Sequence, residues 1–89
     1  MSTVPIYNGT NTTKSVDLSA GLGTFGGIFV SSASNTPTIT VYDGTDNTGI
    51  KVIDTFTPVS ATWYKMPFEY KTGLYVAIGG TVSCTLFWL

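Results

Sequence analysis

The chain has 89 residues, four lysines, no arginine, five acidic residues and no histidine, for a net charge of −1. That length makes one domain. Lys14, Lys51, Lys65 and Lys71 are scattered, which argues against nucleic-acid binding, where Lys and Arg neutralise phosphates and Arg reads guanine.

A domain this small buries only about 60–65% of its unfolded surface. Such domains compensate with disulfides, metals or partner subunits. Cys84 is the single cysteine and histidine is absent, so no intrachain disulfide forms and the commonest transition-metal ligand is missing. Association with partners is the remaining compensation. Only 10% of the residues are charged, against 43% hydrophobic. A surface selected to stay monomeric is about 25–35% charged. Here Thr and Ser supply the polarity, and burying a hydroxyl costs less than burying a charge. No apolar run approaches the ~18 residues of a membrane-spanning helix, and no basic amphipathic segment suits a membrane surface. Met1-Ser2-Thr3-Val4-Pro5 has neither the basic nor the apolar region of a secretory signal, so synthesis in the cytoplasm is expected. The sequons Asn8-Gly9-Thr10 and Asn11-Thr12-Thr13 are then coincidental in an Asn/Thr-rich segment.

Along the chain, β-branched and aromatic residues dominate and no helical period is sustained. Residues 1–13 read as an N-terminal arm with at most a short strand near Val4 to Tyr7, and residues 14–89 as a single β-sandwich domain. Thr13 to Leu18 alternates, with Val16 and Leu18 on one side. Phe25 to Ser31 forms a strand in which Gly26-Gly27 marks a bulge or a close backbone approach. Thr38 to Tyr42 alternates, Ile39 and Val41 inward. Asp43 to Gly49 is a tight polar loop. Ile50 to Phe56 follows, with Ile50, Val52 and Phe56 expected on the inner face and Asp54 an anomaly beside them. Thr62 to Tyr70 sets Tyr64, Met66, Phe68 and Tyr70 on one side, and Pro67 makes this an edge or broken strand. Leu74, Val76 and Ile78 share a face, as do Val82, Cys84, Leu86 and Trp88. Keeping both rows on one face predicts a loop of three or five residues around Gly79-Gly80-Thr81, pairing Ile78 with Val82. Phe87 and Leu89 take the opposite face, so the C-terminal strand has apolar groups on both sides. The expected fold is an all-β, small antiparallel sandwich, jelly-roll-like, of about seven or eight strands, with an immunoglobulin-like sandwich as runner-up.

Candidates for chemistry are few. Without histidine no Ser-His-Asp or Cys-His centre is possible, and no Gly-x-x-x-x-Gly-Lys-Ser/Thr phosphate loop occurs. Of the carboxylate pairs, Asp43 with Asp46 is read as turn chemistry, and in Asp54 with Glu69 the inward Asp54 is either a strand-end residue or an acceptor for backbone, Tyr or Trp donors. Asp43 to Gly49 is oxygen-rich but lacks EF-hand spacing and the bidentate Glu. Cys84, in an apolar row, reads as a buried hydrophobe. No catalytic, cofactor-binding or metal-binding residue is assigned, and an enzyme is not expected. The candidate interface residues are Tyr7, Tyr42, Trp63, Tyr75, Phe87, Trp88 and Leu89, because outward Tyr and Trp are favoured contact residues at protein interfaces. The same residue types line carbohydrate sites.

Two stretches carry a resemblance: Ile39-Thr40-Val41-Tyr42-Asp43-Gly44-Thr45 with Gly49-Ile50-Lys51-Val52-Ile53, and Lys71-Thr72-Gly73-Leu74-Tyr75-Val76-Ala77-Ile78-Gly79-Gly80-Thr81-Val82. Together, over about residues 38–86, they resemble small β-sandwich virion structural proteins of tailed bacteriophages. The resemblance implies a capsid decoration (cement) protein on the virion surface. It would act as a trimer or other small homo-oligomer and bridge subunits of the major capsid protein. A tail, fibre or head–tail component is the nearest rival, and a carbohydrate- or cell-surface-binding module the rival of another class.

Overall fold

A computed structural model describes residues 7–89, so Met1 to Ile6, including most of the short strand expected near Val4 to Tyr7, lie outside the described residues. The described chain is all β: β1 (Asn8–Thr12), β2 (Val16–Ala20), β3 (Gly23–Asp43), β4 (Ile50–Phe56), β5 (Thr62–Tyr70) and β6 (Gly73–Trp88). Every pairing is antiparallel.

The central element is the ribbon of β3 with β6, in register from Phe25↔Trp88 to Tyr42↔Tyr75. Fully extended, the 21 residues of β3 would span about 70 Å at ~3.3 Å per residue. The longest dimension of the molecule is 40 Å, so the ribbon must bend. It does so where Ser34↔Thr81 gives way to Thr38↔Gly79 and β3 carries two more residues than β6. Gly80 supplies a positive φ of 77° on one strand and Thr36 one of 48° on the other. A β-branched residue is strained there, whereas glycine is not.

The bend divides the sheet into two layers. Asn8–Thr12, the segment read as part of the arm, pairs with the C-terminal half of β6, and that half pairs with the start of β3, which pairs with β5. In the second layer β2 pairs with the start of β6, and the end of β3 with β4. Six strands thus supply eight layer strands, because β3 and β6 serve both. Numbered along the chain, the layers run 1-8-3-6 and 2-7-4-5, which is jelly-roll order and not an immunoglobulin order. Both layers face one core of Phe25, Ile28, Val30, Ile39, Val41, Tyr70, Leu74, Val76, Val82, Cys84 and Leu86. Burial pushes the Cys84 thiol up, away from reactivity.

Two sequence expectations fail here. Gly79-Gly80-Thr81 is no hairpin loop: it lies inside β6, with Ile78 opposite Ile39 and Val82 opposite Ala33. Keeping Leu74 to Ile78 and Val82 to Trp88 on one face has two solutions, an odd-length loop or no loop, and the long partner strand β3 selects the second. In β4, Ile50 and Val52 are exposed, while Ile53 and Phe56 pack against the core. Register shifts on either side of Val41 change the phase of β4. Asp54 therefore faces solvent, where its carboxylate accepts from the Thr55 N–H at 2.8 Å and meets Lys51 at 3.5 Å. In β5 the alternation holds, with Tyr64, Met66 and Phe68 against the core and Trp63, Lys65, Pro67 and Glu69 outward. Pro67 sits on an edge strand, beside a register shift.

One end of the sandwich is tied by Asp43. Its carboxylate accepts from the backbone N–H groups of Lys71, Thr72 and Gly73 at 2.8–3.3 Å, while the Gly44 N–H donates to the Gly73 carbonyl. Partial desolvation pushes the Asp43 carboxyl up, but the three N–H donors and the Lys71 charge outweigh it and hold it below its ordinary 3.8. The stabilisation is therefore present above the unfolded value and is lost as pH falls through the lower folded one. Asp43→Ala should cost about 1–3 kcal/mol at neutral pH, in line with hydrogen bonds to a charged group. Urea melts below pH 4 should show a smaller pH-dependent loss for the variant than for the wild type; equal acid sensitivity would exclude this tie.

Candidate functional site

The outer face of the first layer carries a hollow of about 550 Å³ lined by Tyr7, Gly26, Phe29, Trp63, Lys65, Pro67 and Phe87. Each lining residue follows from the ladder. Ile28 and Val30 point into the core, so Phe29 between them points out and is 39% exposed. Phe29 is paired with Trp63, which is outward by the alternation of β5 and 48% exposed. Leu86 and Trp88 point inward, so Phe87 points out, and its ring meets that of Trp63 edge-on at 5.3 Å and 79°.

Glycines form the floor. β3 carries an additional residue opposite Phe87, because Phe25 pairs with Trp88 and Gly27 with Phe87. Both readings of Gly26-Gly27 thus hold: a bulge lies here, and other groups come close. A Cβ on Gly26 would stand 2.9 Å from the Tyr7 ring, and one on Gly27 would stand 2.8 Å from the Trp63 indole and collide with the Tyr64 carbonyl. Gly27 also has a φ of 150°, which side-chain-bearing residues rarely adopt.

The candidate interface residues separate into three places. Tyr7, Trp63 and Phe87 come together in the hollow, and Leu89 sits on the same layer, where its N–H and carbonyl bond Thr24 and its carbonyl accepts from the Tyr70 hydroxyl. Tyr42 and Tyr75 are a direct cross-strand pair, ring centroids 6.1 Å apart, on the outer side of the other layer. Trp88 turns inward against the core, and its indole N–H donates to the Thr10 hydroxyl at 3.1 Å. Phe29, Lys65 and Pro67 belong to the hollow but escaped the sequence reading. The alternation of Ile28 and Val30 around Phe29 was the available signal, and the glycine bulge before it hid the phase.

Chemically the hollow is an apolar recess. Lys65 is the one charged side chain among its lining residues, and the Tyr7 hydroxyl and Trp63 indole N–H are the other side-chain polar groups. Among the described residues no carboxylate lines the hollow, and three of the five are occupied elsewhere: Asp43 by backbone N–H groups, Asp46 by the N–H and hydroxyl of Thr48, and Asp54 by Thr55 and Lys51. No family model, curated protein or solved structure matches the chain.

Gly27→Ala should destabilise the domain by about 1–3 kcal/mol through backbone strain. It should also weaken the near-ultraviolet circular dichroism of Trp63. An unchanged melting midpoint would show that the backbone at Gly27 is not constrained as described.

Proposed function

We propose that this chain is an adhesive structural protein of a virion, of the capsid-decoration type, and that the aromatic hollow of its first layer is the docking site. The observation that carries the reading is the hollow itself: four aromatic side chains and a proline gathered on an outer face. Large exposed apolar patches rimmed by polar groups mark protein-interaction sites. Aromatic anchors dominate the energy of such contacts. Three further features support it. The surface is poor in charge and rich in hydroxyls, jelly rolls recur in capsid and lectin domains, and Asp43, Asp46 and Asp54 serve turns and ties. Fold alone does not choose among functions, so the weight rests on the hollow. Symmetric repetition of modest contacts over a lattice gives strong attachment through avidity.

The edge-on corner of Trp63 and Phe87 also bears on the carbohydrate reading. Small-ligand sites orient their guests with several placed polar groups. Lys65, Tyr7 and Trp63 supply few, which favours an apolar protein segment over a sugar.

Electron cryo-microscopy of particles from the source of the chain is expected to show it at regular positions on the head. A tail position would transfer the reading to a tail or fibre component, and particles lacking the chain would overturn it. Phe29→Ser with Trp63→Ser should lower attachment by about tenfold or more, since each truncated hot spot is worth about 2 kcal/mol or above. A glycan array bound by the wild type and not by that variant would favour the carbohydrate reading.

A further inference from the structure

The free edge of the aromatic face carries a charge pattern that the hollow alone does not explain. β5 presents Trp63, Lys65, Pro67 and Glu69 outward. Lys65 and Glu69 have opposite charge and stand two residues either side of Pro67. The other strand segments of this layer, Asn8–Thr12, residues 23–30 and residues 82–88, contain no charged residue. The ion pair formed among the described residues is Lys51 with Asp54, so neither Lys65 nor Glu69 has an ionic partner among them. The pattern is apolar at its centre, with one cation and one anion symmetric about a point.

We infer that this face is the contact between two copies of the chain, related by a two-fold axis that passes over Pro67. The inference rests on reading the hollow as a protein-docking site and names a second copy as its occupant in the free chain, a contact that attachment to a particle through the same face would replace. In an isologous contact residue i meets j and j meets i. An axis at Pro67 sets Lys65 of each copy against Glu69 of the other, so one operation makes two ion pairs. It acts on the rest of the layer in the same way. Thr24 pairs with Glu69 on one side and bonds Leu89 on the other, so Leu89, Thr24 and Glu69 form one row across the layer. Lys65, Gly27 and Phe87 form the row that carries the cation, and Trp63, Phe29 and Thr85 the row beyond it. The axis brings the Glu69 row of one copy over the Lys65 row of the other. Leu89, 41% exposed, then lies over Phe87, which lines the hollow.

The copies meet by their faces and not by their edges. Pro67 has no N–H to donate, and a register shift sits beside it, so β5 cannot continue its ladder into a second copy. Two such faces stack as sheets do, about 10 Å apart. The arrangement is that of protein interfaces generally, an apolar centre inside a polar rim.

Sedimentation equilibrium of the full chain, from micromolar to millimolar concentration, should show a monomer–dimer equilibrium. Lys65→Glu and Glu69→Lys should each weaken dimerisation by about tenfold or more, as coupled interfacial charge pairs do. The double variant Lys65→Glu/Glu69→Lys should recover most of the loss, because it re-forms both ion pairs with the signs exchanged. Both residues are exposed, and far-ultraviolet circular dichroism verifies that each variant is folded. A monomer throughout, a trimer or higher species as the smallest assembly, or a double variant no better than the singles would overturn the inference. The failures are separable. If the chain stays monomeric and the Phe29/Trp63 variant still loses particle attachment, docking stands and self-pairing falls. If charge exchange restores the dimer and the chain is absent from particles, self-pairing stands and the virion reading falls.

Discussion

The ribbon of β3 and β6 is the constraint on which the rest of the molecule depends. Each strand is too long to lie straight within the domain, so the pair folds over and becomes both layers at once. The even-numbered residues of β6 from Leu74 to Leu86 stay on the concave side throughout, with Gly80 at the bend, where the backbone takes a positive φ that glycine adopts without strain. Because the two layers share two strands, they cannot slide or separate independently. β1, β2, β4 and β5 are then placed by which half of the ribbon they pair with. A chain with one thiol and little core volume gains coherence from this covalent continuity, where other small domains use disulfides.

Closure of the ribbon also explains why the two outer faces differ. Residues of one parity fill the core, so the opposite parity must be displayed. In the second layer the outward set is Thr38, Tyr42, Tyr75 and Ala77, mostly small or hydroxylated, while Thr40 is buried and its hydroxyl meets that of Thr55 at 2.7 Å. In the first layer the displayed set includes Phe29, Trp63 and Phe87. The glycine pair there removes side chains between aromatic neighbours, which turns a flat sheet face into a recess. A cation and an anion without ionic partners among the described residues lie on the adjoining edge and give that recess a direction.

Much of this was readable from residue order. Thr62 to Tyr70 alternates without interruption, so its inner and outer faces, the outward Trp63 and the edge position of Pro67 followed from period and proline chemistry. The all-β class followed in the same way, and the jelly-roll-like sandwich from the number of strands. What failed did so wherever the phase slipped. The register shifts around Val41 reversed the faces of Ile50, Val52 and Asp54, and a shift leaves no mark in composition. Gly79-Gly80 carries the signature of a turn, and only the length of the partner strand shows that the chain bends there without reversing. The gathering of Tyr7, Phe29, Trp63 and Phe87 was beyond reach, because it joins four strand regions whose lateral order is set by the topology.

The sequence distance closed by this topology has a kinetic consequence. Phe25 pairs with Trp88, and Asn8 pairs with the same residue from the other side. β4 and β5 can pair with β3 as soon as they are made, but β1 and β2 pair only with β6 and have no partner until the last strand has left the ribosome. Folds built on such distant pairings form slowly, after the chain has diffused through many arrangements. Hydrophobic strands such as Gly73 to Trp88 are exposed in the meantime. The sandwich therefore closes only when β6 is in place, and the aromatic face, which needs Phe87 beside Phe29 and Trp63, is complete only with the last strand.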